Sequence, residues 1–168
     1  MLIISGTMGS GKTTVLAEAA DILAARHITH AAIDLDAFGL VHLPSAVADD
    51  NVMYRNLQAV RKNYASVGVN RLLLARALED GAEFDLCRGA VSAKNTVVCR
   101  LTASIETMQQ RVRMRESGVS QEKYVARVAR LNAILNYAGV EDFVVMSENR
   151  TVTEVAHAVL FRAGCIQG

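Results

Sequence analysis

The stretch Gly6 to Thr14 reads GTMGSGKTT, between the apolar run Leu2-Ile-Ile-Ser5 and a segment rich in Ala and Leu. Its spacing is Gly6-x-x-x-x-Gly11-Lys12-Thr13, the pattern of a loop that grips phosphate. Glycines let the backbone turn with its N–H groups facing inward, which makes a nest for an anion. The helix expected after the loop brings its unpaired N-terminal amides and positive dipole end to the same point. The cradle comprises Gly6, Thr7, Met8, Gly9, Ser10, Gly11, Lys12, Thr13 and Thr14. Lys12 is expected to reach the β- and γ-phosphates, and the Thr13 hydroxyl to face magnesium. A glycine turn arising by chance would lack the context found here, a strand before the loop and a helix after it.

Outward from this loop the chain alternates. A strand at Leu2–Ser5 leads to a helix from about Gly11 to His27, where Val15, Leu16, Ala19, Ala20 and Leu23 recur at helical spacing. A second strand covers about His30 to Leu35. Ala37 to Asp50, with the only proline, Pro44, reads as a loop or small helical flap. Asn51–Ala65 is helical. Arg71-Leu-Leu-Leu-Ala75 fits a buried parallel strand. Glu79–Arg88 is ambiguous. Thr96–Thr102 is a fourth strand, and Ser104 caps a helix running to about Glu116. Ser120 is expected to cap a further helix, which runs to Ala138 and stops at Gly139. Phe143–Met146 is a fifth strand, and Thr151 with Glu154 forms a capping box for the last helix. The pattern predicts an α/β fold, a five-stranded and mainly parallel sheet with helices on both faces.

Length and composition agree. The 168 residues suit one domain, 1–168, with a sizeable core. A net charge of +1 gives no field to attract nucleic acid or a membrane. Cys87, Cys99 and Cys165 show no metal-ligand spacing, which points to reduced thiols and, with the lack of a leader or spanning segment, to the cytoplasm.

The second strand ends Ile33-Asp34-Leu35-Asp36. Residues two apart on a strand share a face, so Asp34 and Asp36 are expected on one side at the carboxyl end of the sheet, where the phosphate loop also lies. One carboxylate could hold magnesium while the other accepts the proton of an attacking hydroxyl. The plainer reading makes Asp36 the cap of a short helix from Ala37. Further on, Arg111, Arg113 and Arg115 crowd one helix, Arg127 and Arg130 the next, with a break at Ser117-Gly118 between them. Such a cluster is either a solvated face or a lid that closes guanidinium groups onto a phosphoryl group.

The loop Gly6–Thr13, the Asp34-x-Asp36 pair and the arginine-rich helix together resemble the shikimate kinase and gluconate kinase-like group of P-loop small-molecule kinases. The resemblance covers nearly the whole chain. It implies a three-layer P-loop NTPase fold, strand order 2-3-1-4-5, and a lid around residues 111–124 that closes over ATP. It also implies Asp34 with Thr13 at Mg2+, Asp36 at the acceptor hydroxyl, Arg111 beside adenine, and Arg113 or Arg115 on phosphate. The sequence departs from that group after the third strand, where a glycine-rich turn is replaced by Ala75-Arg-Ala-Leu-Glu-Asp80, which argues against shikimate as acceptor. The guanine-reading Asn-Lys-x-Asp of GTPases is missing, since Ser147-Glu-Asn-Arg150 stands in its place.

The expectation is a kinase that uses ATP and Mg2+ to phosphorylate a hydroxyl of a small molecule. A regulatory nucleotide-binding protein and a nucleoside or nucleotide kinase are the alternatives. Phe38, His42, Arg55, Arg76 and Glu79 are expected to border the acceptor pocket. Arg76, a charge at the end of an apolar strand, either binds an anionic acceptor or reaches solvent. Tyr124, Val128, Leu131 and Leu135 form an apolar stripe that reads as core.

Overall fold

The computed structural model describes residues 1–39 and 51–167. Parallel strands β1 (Leu2–Ser5), β2 (Ala31–Asp34), β3 (Leu72–Ala75), β4 (Val97–Thr102) and β5 (Phe143–Met146) form one sheet in the order β2-β3-β1-β4-β5. Every strand pair is parallel, with Ile3 level with Leu74 on one side and with Val98 on the other. Between the strands run α1 (Lys12–Ala25), α2 (Val52–Ser66), α3 (Gly81–Val91), α4 (Ile105–Arg115) and α5 (Gln121–Ala138), and α6 (Val152–Arg162) follows β5. This is the α/β architecture expected from the sequence pattern, with the strand order that the resemblance implies.

Strand alternation builds the two cores. Leu2 and Ile4 of β1 point to one face with Leu73, Cys99, Leu101 and Val145, under Val15, Leu16, Ala19 and Leu23 of α1 and Val155 and Val159 of α6. Ile3 points to the other face with Leu72, Leu74, Val98 and Ile33, under Leu57 of α2 and Cys87 and Val91 of α3. Ile3 and Leu74 are wholly buried, and truncating either to Ala costs about 2–5 kcal/mol. A third cluster joins Met108 and Val112 of α4 to Val125 and Val128 of α5. Burial pushes the Cys87 and Cys99 thiols up to about 12, so both stay protonated and inert. Among the described residues no helix is long and apolar enough to cross a membrane.

Because all strands are parallel, their carboxyl ends share one rim. β1 is central, so the glycine loop leaves the middle of that rim, with Asp34 ending β2, Arg76 following β3 and Ser147 following β5.

The structure adjusts several local expectations. β2 ends at Asp34, and Leu35–Gly39 is a 3-10 turn. The alternation argument therefore stops one residue short of Asp36. It is Asp34 that behaves as the cap, its Oδ1 accepting from the Asp36 amide at 3.1 Å. The ambiguous stretch after Glu79 is helix α3, opened by Asp80, whose carboxylate accepts from the Glu83 amide at 2.8 Å. Ser120 makes no side-chain cap bond. The chain enters α5 through a 3-10 turn, Gly118–Ser120. The Gln121 amide group instead donates to the carbonyls of Arg113 and Glu116, both at 2.8 Å, satisfying two groups left open at the end of α4. His42 and Pro44 lie outside the described residues.

Candidate active site

The loop between β1 and α1 turns through three left-handed glycines, Gly6 at φ 147°, Gly9 at φ 77° and Gly11 at φ 98°. Two are also demanded by crowding. A Cβ on Gly6 would lie 2.6 Å from the Leu101 carbonyl oxygen, and one on Gly9 only 2.2 Å from that of Met108. The loop is thus pressed against β4 and α4. Thr7 ties it to α5, its hydroxyl donating to the Val128 carbonyl at 3.4 Å. No side chain caps α1 and no acid sits in its first turn, so its N-terminal amides stay open to an anion.

Lys12 stands over this opening, with Nζ donating to the Thr7 carbonyl at 3.3 Å. Burial holds its ammonium below the usual lysine value. Asp36 and Asp34 act against that shift, while Arg115 and Arg76 add to it. The four groups that influence Lys12 come from β2, the turn after it, the end of β3 and the end of α4. Thr13 Oγ1 donates to Asp34 Oδ2 at 2.6 Å. Asp36 accepts from Arg76 Nη1 at 3.0 Å through Oδ1, and Arg76 Nη2 reaches Glu83 Oε1 at 2.6 Å.

A cavity of about 400 Å³ opens here, lined by loop residues, by Lys12, Thr13 and Thr14, and by Asp36, Arg76, Arg115 and Tyr124. It meets a second of about 490 Å³ lined by Lys123, Arg130 and Ile134, the two sharing Glu79, Arg127 and Leu131. Glu79 and Arg127 are paired at 3.1 Å between the end of β3 and α5. On the far side of the loop a smaller cavity of about 200 Å³ is lined by Ser10, Gly11, Thr14, Arg111, Ser147 and Arg150.

The arginines of α4 divide. Arg111 binds the protein itself: Nη1 donates to the Gly9 carbonyl at 3.2 Å and to Ser147 Oγ at 3.0 Å, and Nη2 to the Ser147 carbonyl at 3.1 Å. Arg115 borders the Lys12 cavity and pairs with Glu116 at 2.9 Å. The Arg113 side chain is exposed and lines none of these three cavities. Lys12, Thr13, Asp34, Asp36 and Arg115 are therefore gathered at one place, Arg111 sits on the other side of the loop, and Arg113 stands apart.

Sequence reasoning passed over Ser147, Glu83 and Glu148. Ser147 was visible as the residue after β5, but only as part of a failed guanine motif. Glu148 accepts from the hydroxyls of Ser104 and Thr107 and from the Ser104 amide, which joins the β5–α6 connection to the start of α4. These bonds, that to Thr107 foremost, hold its carboxyl below the ordinary glutamate value. Of the stripe read as core, Val128, Leu131 and Leu135 are buried, Leu131 also bordering both larger cavities, and the half-buried Tyr124 packs against Val128's cluster while lining the Lys12 cavity.

Thr13 and Asp34 offer a hydroxyl and a carboxylate, hard oxygen donors that suit Mg2+. Among the described residues no group of three or more acidic, histidine or cysteine side chains could cage a metal alone.

No family model matches the chain, and no curated protein does. Solved structures do. A sugar kinase from a Janibacter species is 17% identical, with 97% of this chain and 93% of that chain covered at a TM-score of 0.63. Shikimate kinase from Acinetobacter baumannii, solved with shikimate, is 18% identical over 98% and 92% at 0.57. The tunicamycin resistance protein of Deinococcus radiodurans is 14% identical over 97% and 95% at 0.64. Together with the sheet order and the glycine loop, these matches give the chain the fold of the P-loop small-molecule kinases.

Proposed function

We propose that this protein is an ATP-dependent kinase that transfers the γ-phosphoryl group to a hydroxyl of a small molecule. The reading rests on one observation: Lys12, Thr13, Asp36 and Arg115 line a single cavity at the open end of α1, with Asp34 bonded to Thr13 beside it. The loop amides and Lys12 would hold the β- and γ-phosphates. Thr13 and Asp34 would hold Mg2+, which when bound neutralises phosphate charge. Asp36 takes the proton of the acceptor hydroxyl as its oxygen bonds to the γ-phosphorus. The bond from that phosphorus to the β–γ bridging oxygen breaks, and ADP leaves. Arg115 faces the charge that spreads over the phosphoryl oxygens. Arg111, with Ser147 and Arg150 beside it, borders the position proposed for the adenine end. We read the chain as one catalytic unit whose segment 111–124 acts as the lid.

The second carboxylate favours a kinase over a nucleotide-binding switch, which has no use for a base beside its metal ligand. ADP release from Mg·ATP should rise with one class in a panel of polyols, sugars, nucleosides and hydroxylated antibiotics. A flat response across the panel favours the regulatory reading. Asp36→Asn keeps the shape but cannot take the proton. Turnover should drop about 100-fold or more with ATP affinity nearly intact.

A further inference from the structure

We propose that Arg76 is a positioning residue for Asp36. It holds one carboxylate oxygen so that the other is presented to the attacking hydroxyl, and Glu83 holds Arg76 in turn. The inference rests on the kinase reading above and adds to it a device built from the end of β3.

Arg76 leaves β3 with its backbone anchored, its amide donating to the Ile4 carbonyl at 3.1 Å. The side chain then spends the two ends of its fork on different acids, Nη1 on Asp36 Oδ1 at 3.0 Å and Nη2 on Glu83 Oε1 at 2.6 Å. Glu83 is itself fixed. Its Oε2 accepts from the Glu79 amide at 2.8 Å, its Oε1 also receives the Tyr54 hydroxyl at 3.5 Å, and its backbone amide is bound by Asp80. The anchor thus reaches back through α3 and α2. Burial opposes the charge on Arg76, and the two carboxylates more than offset it, so the guanidinium stays protonated.

Asp36 needs such support. It lies in a five-residue 3-10 turn with its side chain 52% exposed. Its bond to Asp34 is through the backbone amide and leaves χ1 free. Arg76 supplies the hydrogen bond that orients the Asp36 carboxylate among the described residues, and it engages Oδ1 alone. A rigid planar fork holds two carboxylates in fixed relation, which a single ammonium cannot. The buried Arg76 Nε has no partner among the described residues, so the fork is aimed at its two acids at the expense of a third donor.

The test uses the whole protein and Mg·ATP with water as the acceptor, so the natural acceptor need not be known. Single-turnover hydrolysis would be followed for the parent, Asp36→Asn, Arg76→Lys, Glu83→Gln and the double variant Arg76→Lys/Asp36→Asn. Mg·ADP affinity and thermal melting would be measured on each. Arg76→Lys and Glu83→Gln should slow hydrolysis by about 10- to 100-fold with Mg·ADP affinity within about twofold, and Arg76→Lys should add nothing once Asp36 is Asn. Equal rates for the parent and Asp36→Asn overturn the base role, and the kinase reading with it. A loss on Asp36→Asn that Arg76→Lys does not share, or that the double variant shows as a product of two independent losses, overturns the positioning role alone. So does a crystal structure of Arg76→Lys with Asp36 Oδ1 unmoved.

Discussion

Thr13 and Asp34 are joined hydroxyl to carboxylate at 2.6 Å, across the gap between the first turn of α1 and the end of β2. The loop that would hold phosphate and the strand that carries the acids are thus already linked. A hydroxyl oxygen and a carboxylate oxygen this close form a ready pair of ligands for a hard cation.

Asp34→Asn leaves that hydrogen bond possible but removes the anion. The magnesium concentration giving half-maximal ADP release should rise about tenfold, and productive ATP binding should weaken. A magnesium titration checks this. An unchanged midpoint would remove Asp34 from the metal site.

Lys12→Met tests the opposition between binding and stability. The parent folds at a cost, because burial disfavours its ammonium. The ligand-free variant should therefore melt at a higher temperature, while phosphoryl transfer falls by about 100-fold or more. The pH dependence has a definite sign. With the folded pKa below the unfolded one, the unfolded chain binds more protons between the two values, so this residue's contribution to stability rises with pH there. The stability difference between variant and parent should shrink as pH climbs towards 10.5, the unperturbed lysine value. Melting curves of both proteins across that range decide it.

Gly9→Ala places a methyl group 2.2 Å from the Met108 carbonyl oxygen and asks alanine to adopt φ 77°. The loop must lift away from α4, at a cost of about 1–3 kcal/mol. Both the melting temperature and Mg·ADP affinity should fall. Parental affinity in a fully folded variant would mean that the loop's contact with α4 has no part in forming the anion nest.

The arginines of α4 should separate by kinetics. Arg111→Ala breaks three hydrogen bonds to Gly9 and Ser147, so nucleotide affinity should drop together with stability. Arg115→Ala leaves the loop intact and should lower turnover about 10- to 100-fold with little change in affinity. Arg113→Ala should behave as the parent. An Arg113 effect larger than that of Arg115 would reverse the two assignments.

Much of the architecture was legible along the chain. Apolar runs of four or five residues spaced by amphipathic stretches require a covered parallel sheet. Gly6, Gly11, Lys12 and Thr13 mark the phosphate loop because only that backbone shape demands glycines at that spacing. The Thr151–Glu154 box appears where it was expected, since a cap is a contact between residues three apart. All of these are local statements, and local spacing is what a sequence displays.

The arrangement of the site was decided elsewhere. Asp34 and Asp36 were expected to share a strand face, yet the chain leaves β2 at Asp34 and Asp36 rides on a 3-10 turn. There it accepts from Arg76, forty positions away, whose guanidinium also reaches Glu83 of α3. Arg111, Arg113 and Arg115 crowd one helix in the sequence, which could not say which of them faced the loop. That choice follows from how α4 packs Met108 and Val112 against α5 and the loop. Spacing along the chain determines which backbone shapes form, whereas the contacts that aim a charged side chain are made between segments whose distance only the folded sheet sets.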